Sequence, residues 1–202
     1  GFGNAGSFAA KLLAEQGCKI MAISDVSGAF TCKAGIDTDA AIAHVAKHKT
    51  LAGFDRVRGV EKMKDALGLL ELPVDILIPA ALENQITSKN AKRVKAKLIA
   101  ECANGPCTPE ADDILEKKRV FVIPDILCNA GGVAVSYLEW VQNRMGYYWR
   151  YPRVLRDLED MMNTAFDTVL ETSLSSCPSP GWPGRVSFAA STPEPCASRP
   201  GT

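Results

Sequence analysis

The sequence predicts an α/β chain built on a doubly wound parallel sheet. Three observations predict it. Short apolar runs of strand length recur along the first 172 residues, amphipathic helical stretches lie between them, and the chain opens on a glycine-spaced turn, Gly1, Gly3 and Gly6, that leads directly into a helix. A strand, a helix and a second strand in series pair in parallel, because the helix returns the chain to the same end of the sheet. A glycine turn of this kind ordinarily follows a strand, and here Gly1 is the first residue. The sheet is therefore expected to be incomplete, its first strand absent, and the chain is expected to be a piece of a longer one.

The elements follow in order. Asn4–Gln16 places Phe8, Ala9, Leu12 and Leu13 at helical spacing, a candidate core face. Lys19–Ser24 (KIMAIS) is an apolar run of strand length. Thr38–Lys47 repeats the helical pattern with Ile42, Val45 and Ala46. Val74–Pro79 (VDILIP), Leu98–Glu101 (LIAE) and Val120–Ile123 (VFVI) read as three buried strands. Between the last two, Pro109 sets the first turn of a helix over Pro109–Lys117. Glu110, Asp112 and Asp113 stand where the helix dipole favours anions, and Ile114 and Leu115 form its inner side. Apolar-periodic stretches over Gly132–Gln142 and Pro152–Glu171 close the ordered part.

Composition changes at Ser173. Residues 173–202 hold six of the twelve prolines, seven serines and only three charged residues, Arg185, Glu194 and Arg199. This reads as a Pro/Ser-rich disordered tail, or as a non-native one, since a frame slip gives the same composition. The domain expectation is 1–172 for the nucleotide-binding domain and 173–202 for the tail.

Charge is balanced, with 23 basic and 23 acidic residues. That argues against nucleic acid or an anionic membrane surface as a partner, both of which need excess cations. No apolar stretch approaches the ~18 residues of a membrane-spanning helix. Seven cysteines are scattered without a CxxC pair, which points to a reducing compartment and no disulfide framework. His44 and His48 lie four apart on one helix face without a third ligand, so they read as surface residues and no metal is assigned.

The opening GFGNAG has a physical logic. Gly1 permits a tight turn, Gly3 lets backbone approach a pyrophosphate, and Gly6 lets the helix pack against the sheet. Free N–H groups at the helix start then face the anion. Asp25 ends the next strand 19 positions beyond Gly6, where a carboxylate accepts from an adenosine ribose hydroxyl. It would repel a 2′-phosphate, so NAD is expected over NADP, with NADP possible if a neighbouring loop supplies a cation. These are Rossmann-type features.

Three further strings are more specific: PAALENQIT (Pro79–Thr87), AECANGPCTPEAD (Ala100–Asp112) and PDILCNAGGVAVSYLEWVQN (Pro124–Asn143). With GFGNAG they resemble the C-terminal, nucleotide-binding domain of glutamate dehydrogenase, in the glutamate/leucine/phenylalanine/valine dehydrogenase superfamily. The resemblance runs from Gly1 to about Glu171. It implies a Rossmann-like domain in which Gly1, Gly3, Asn4, Ala5, Gly6, Asp25, Ala80, Ala81, Asn104 and Asn129 bind the cofactor. Gly132, Val133 and Ser136 would line the substrate pocket, Ser136 reaching the substrate's side-chain carboxylate. Asn84 belongs to the turn after Ala81. Local readings stay open beside these. The asparagines also suit turns or caps, Ser136 can bond back to its own helix, and Ala80 and Ala81 suit a tight strand exit.

The resemblance implies reversible NAD(P)-dependent oxidative deamination of L-glutamate to 2-oxoglutarate and ammonia, in a homo-oligomer of the cytoplasm or mitochondrial matrix. The lysine and aspartate that move protons in this chemistry belong to another domain, so no catalytic residue is assigned here and the piece alone is expected to be inactive. Two alternatives stand beside it: a leucine- or phenylalanine-type dehydrogenase, which the hydroxyl of Ser136 disfavours, and a non-catalytic nucleotide-binding or interaction module.

Overall fold

The computed structural model describes residues 1–176, leaving out the side chains of 174–176. Two units divide the chain, Gly1–Phe166 and Asp167–Thr202. The first contains six α-helices or parts of them and six strands among the described residues: α1 Asn4–Glu15, β1 Ala22–Asp25, β2 Gly28–Thr31, α2 Thr38–His48, β3 Glu61–Lys62, β4 Ile76–Leu77, β5 Leu98–Ala100, α3 Pro109–Lys117, β6 Phe121–Ile123, α4 Asp125–Cys128, α5 Ala130–Met145 and α6 Tyr151–Ser176. The described part of the second unit is the end of α6, where Thr172 Oγ1 donates to the Thr168 carbonyl at 2.8 Å. The helix thus runs four residues past the expected start of the tail; residues 177–202 lie outside the described residues.

The strands form two three-stranded sheets, β1-β2-β3 and β4-β5-β6. The second is parallel, in register Ile76↔Leu98 and Leu98↔Phe121, with α3 as the crossover between β5 and β6. That is the predicted α/β, Rossmann-like arrangement, and the sheet is incomplete. The first sheet is antiparallel, which the sequence reading did not anticipate. Asp25 pairs with Gly28 across a two-residue turn, Val26–Ser27, and Gly28 takes a φ of 138° that only glycine adopts freely. The short GAFT run behind that turn carries Phe30, fully buried against Phe54.

Each sheet has its own apolar cluster. Phe2, Ile23, Phe30, Leu51 and Phe54 pack around the first, and Leu77, Ile86, Val94, Ile99 and Leu115 around the second. Helix α1 corrects the expected core face. Gly6 and Ala10 are buried, while Phe8 and Leu12 are 66% and 57% exposed. The small residues let the helix axis approach the sheet, which turns the bulky Phe8 and Leu12 outward. Helix α2 buries Thr38 and Ala41, with Ile42 and Val45 partly covered and Ala46 exposed. His44 Nε2 lies 3.0 Å from the Ala52 carbonyl oxygen, and its ring sits 4.5 Å from that of His48.

Helix α3 has the predicted limits. Thr108 caps it, its Oγ1 accepting from the Ala111 N–H at 3.3 Å, and Pro109 follows in the first turn. Thr108→Ala removes that acceptor. It should cost about 1 kcal/mol, seen as a lower denaturant midpoint at unchanged slope.

Candidate functional site

The glycine turn is held from two sides. The Phe2 N–H donates to the Ser24 carbonyl of β1 at 2.5 Å. A Cβ added to Gly1 would stand 2.8 Å from the Ala80 carbonyl oxygen and 2.8 Å from the Ala81 Cβ. One added to Gly6 would collide with the Gly1 carbonyl and lie 3.3 Å from the Ala80 Cβ. So Gly1 and Gly6 are glycine because backbone and the two alanines leave no room. Gly3 differs: nothing lies within 4 Å of its Cβ position. It is the N-cap of α1 with no side-chain capping bond, and the first turn carries no acidic residue. Gly3, Asn4 and Ala5 are exposed. An uncapped helix start with an open glycine offers backbone N–H groups to an anion.

The loops after β4, β5 and β6 meet beside this turn. The Ala103 N–H donates to the Pro79 carbonyl at 2.9 Å, joining the alanine loop to the Asn104 loop. Asn129 Nδ2 donates to Asn104 Oδ1 at 2.6 Å and lies 3.5 Å from the Cys102 carbonyl. Asn84 has φ 55°, a conformation asparagine tolerates, and its N–H donates to the Gly105 carbonyl at 2.8 Å. The glycine turn, Ala80, Ala81, Asn104 and Asn129 thus gather at the carboxyl ends of the parallel strands, where open α/β sheets bind ligands.

Asp25 is less free than its sequence position suggests. Its Oδ1 accepts from the Ser27 N–H at 2.8 Å and the Ser27 hydroxyl at 2.5 Å, and its Oδ2 accepts from the Leu51 N–H at 2.6 Å. These bonds fix the β1–β2 turn and tie it to the loop after α2. Oδ1 is thus engaged twice, and Oδ2 keeps a second lone pair for an outside donor.

Gly132, Val133 and Ser136 lie on one exposed face of α5, beginning one turn beyond Asn129. The Ser136 hydroxyl donates to the Gly132 carbonyl at 3.1 Å, the local bond that a mid-helix serine commonly makes. Val133 is 71% exposed. The Gly132 N–H donates to the Asn129 carbonyl at 3.2 Å, which ties the start of this face to the asparagine.

A second layer braces the asparagines. Glu101, 7% exposed, accepts the Asp125 N–H on Oε2 at 3.0 Å, and Asp125 Oδ2 accepts the Gly105 N–H at 2.8 Å. Burial first, and then a bond to Glu101, push the Cys107 thiol far above its ordinary range. Burial likewise pushes Cys128 up to about 11. Both therefore stay protonated at neutral pH and supply no thiolate. Glu101, Cys107 and Asp112 place ligand-type atoms within 4.8 Å of one another. Glu101 already serves Asp125 and Cys107, which accounts for the cluster without an ion.

The family model described as Glutamate/Leucine/Phenylalanine/Valine dehydrogenase matches residues 1–179. This chain belongs to that family. It is 47% identical over 171 residues to the NADP-specific glutamate dehydrogenase A1 of Halobacterium salinarum, covering 85% of this chain and 40% of the relative. It is 46% identical over 173 residues to the NAD-specific glutamate dehydrogenase of Staphylococcus aureus, covering 86% and 41%. Among solved structures, glutamate dehydrogenase from Peptoniphilus asaccharolyticus superposes with a TM-score of 0.67 at 38% identity, over 84% of this chain and 38% of that one. The hetero-hexameric enzyme from Thermus thermophilus gives 0.76 at 26%, over 85% and 39%. The chain therefore spans about two fifths of the length of these relatives.

Three thiols, Cys102, Cys107 and Cys128, lie within the strings Ala100–Asp112 and Pro124–Asn143. Cys102 carries no backbone strain, since the described non-glycine residues at positive φ are Lys49, Asn84 and Arg119. Sequence reasoning passed over Glu101 and Asp125. The available signal was a carboxylate ending the apolar run LIAE, where only a partnered acid is buried.

Proposed function

We propose that this chain is the dinucleotide-binding portion of a glutamate dehydrogenase, taking NAD with NADP as the alternative. The observation that carries the reading is the Asn129–Asn104 bond at 2.6 Å, closed beside a glycine turn whose exposed Gly3 has an open Cβ side. The donor set fits the group. Backbone N–H groups at Gly3, Asn4 and Ala5 suit a pyrophosphate, Asp25 suits a ribose hydroxyl, and the side-chain amides of Asn104 and Asn129 suit the nicotinamide ribose and carboxamide. Ala80 and Ala81 form a floor small enough for the cofactor to pass. The assignment of the matched stretch to the C-terminal half of the enzyme rests on these motifs.

When bound, the nicotinamide accepts the hydride released as L-glutamate goes to 2-oxoglutarate and ammonia. The chain's own part is to bind and orient. Asn129, held by Asn104, would fix the carboxamide and hence the ring face presented to substrate. The Ser136 hydroxyl, with one proton to give, would leave the Gly132 carbonyl and donate to the substrate's distal carboxylate, while Gly132 and Val133 line that pocket. A hydrocarbon-ended substrate would gain nothing from that hydroxyl, which favours glutamate over leucine or phenylalanine. The proton-transfer residues are assigned to the part of the enzyme outside this sequence, and a homo-oligomer in cytoplasm or mitochondrial matrix is its setting. Among the described residues no helix is long and apolar enough to cross a membrane.

Titration of the chain with NADH, followed by nicotinamide fluorescence, tests the reading. Saturable binding is expected. Asn129→Ala should weaken it about tenfold, equivalent to ~1.4 kcal/mol, with little change in melting temperature because the residue sits at the site's edge. Absence of saturable binding to a cooperatively folded chain overturns the proposal.

A further inference from the structure

The amino ends of the parallel strands carry a second concave feature. An open cleft of about 610 Å3 lies between the segment that leads into β5, the segment that leads into β6, and Glu71. Six cations line it, Lys92, Arg93, Lys95, Lys97, Lys118 and Arg119, and Glu71 is the one acid among its described lining residues. The chain as a whole balances 23 basic against 23 acidic residues, so this concentration is not a consequence of composition. The three residues of β5, about 10 Å of strand, stand between the cleft and the loop that carries Asn104.

The six charges are in different states. Glu71 takes Arg93 in a two-pronged pair, Nε to Oε2 at 2.8 Å and the second guanidinium nitrogen to Oε1 at 2.7 Å. Lys97 is paired with Asp75 at 2.7 Å. Lys118 Nζ donates to the carbonyls of Ala91 at 3.2 Å, Lys92 at 2.8 Å and Val94. Those three bonds use every N–H of the ammonium and leave its charge uncancelled. Lys92, Lys95 and Arg119 are exposed and have no carboxylate partner among the described residues. Arg119 follows α3 at a φ of 58°, a position that helices ordinarily give to glycine. Its N–H donates to the Glu116 carbonyl at 2.8 Å, so the backbone work there is what a glycine would do, and the guanidinium is left over.

We propose that this cleft binds a compound carrying two or more linked phosphate groups. Phosphate oxygens only accept, and the free side chains of the cleft only donate. Arg119 offers the planar fork that matches a phosphate, while Lys92 and Lys95 approach from the other segment as point charges. Lys118 adds field without a direct bond. An exposed single ion pair is worth little, so one phosphate touching one of these groups gains little. A linked chain reaches both segments at once, and its second contact is intramolecular. Val94, Ala96 and Val120 complete the lining with no aromatic ring, so the phosphate chain is what is recognised, whatever it is attached to. The cleft is assigned independently of nucleotide binding at the opposite end of the strands.

Calorimetric titration of the 202-residue chain with inorganic tripolyphosphate, free of nucleotide and divalent metal, tests this. Saturable binding is expected, about tenfold or more tighter than orthophosphate, and weakening about fivefold or more between about 50 and about 300 mM NaCl. Arg119→Gly should weaken tripolyphosphate about fivefold while the melting temperature holds or rises, because glycine suits that φ better. Lys92→Gln with Lys95→Gln should weaken it about tenfold at an unchanged melting temperature. Orthophosphate binding as tightly as tripolyphosphate overturns the proposal, as does full affinity in both variants. Displacement of tripolyphosphate by NADH, with Arg119→Gly neutral, also overturns it, since the anion then sits at the glycine turn. So does a single-stranded oligouridylate that binds more tightly than tripolyphosphate and is weakened by the same variants, because the surface is then one for nucleic acid.

Discussion

Gly6→Val abolishes NADH binding and costs the chain about 3 kcal/mol or more, whereas Gly3→Ala leaves stability within about 0.5 kcal/mol and weakens NADH alone. The contrast follows from the space around each glycine. The Cβ position of Gly6 collides with the Gly1 carbonyl and stands 3.3 Å from the Ala80 Cβ, so both the turn and the alanine loop must move. Backbone cannot yield as a flexible side chain does. The displacement propagates to Pro79, whose carbonyl holds the Ala103 N–H and with it the Asn104 loop. Gly3 has no neighbour within 4 Å of its Cβ and a φ of −85°, which alanine adopts without strain. A methyl there meets only what comes from outside. If that visitor is a pyrophosphate drawn to the helix start, NADH affinity should fall about tenfold or more at an unchanged melting temperature. Chemical denaturation and NADH titration on both variants check this. Gly3→Ala binding NADH as well as the parent would remove the glycine turn from the cofactor site.

The parallel half of the fold was legible because its signals are local and mutually consistent. LIAE, the capped PEADDILEK helix and VFVI stand in series, and Thr108 and Pro109 mark the helix start chemically. The first sheet was less legible, because β2 owes its existence to partners distant in sequence. Phe30 is buried by Phe54, and Lys62 pairs opposite it. The face of α1 was misread for a related reason. Periodicity finds the largest apolar residues, but here close approach of helix to sheet is set by Gly6 and Ala10, and Phe8 and Leu12 are left outside. At the site, the strings with asparagines pointed to residues that do meet across 25 positions, Asn104 and Asn129. Of the carboxylates that brace them, Glu101 offered only the signal of an acid ending LIAE, and the partners of both were not legible. Glu101 and Asp125 act through backbone N–H groups of distant residues, and no sequence spacing records such a bond.

Asp25 separates structural from cofactor duty within one side chain. Asp25→Ala leaves the Leu51 N–H, at a fully buried residue, and the Ser27 N–H without their acceptors. An orphaned buried donor costs about 1–3 kcal/mol, so a loss of about 2–3 kcal/mol is expected, read from the denaturant midpoint. Asp25→Asn is the sharper probe. One amide oxygen can still close the turn on Ser27, but the NH2 group then faces the Leu51 N–H, donor against donor, so part of the destabilisation remains. For the cofactor the two duties diverge. If Asp25 serves the fold alone, NADH and NADPH lose affinity in parallel as the turn loosens. If the remaining lone pair of Oδ2 accepts from the adenosine ribose, the substitution weakens NADH and at the same time lifts the repulsion of a 2′-phosphate. NADPH should then gain on NADH by about tenfold, ~1.4 kcal/mol, in paired titrations. Such a gain cannot come from loosening, because a disordered turn has no means of preferring the bulkier, more highly charged nucleotide. An unchanged ratio of the two affinities assigns Asp25 to the β1–β2 turn and moves the choice between cofactors to another loop.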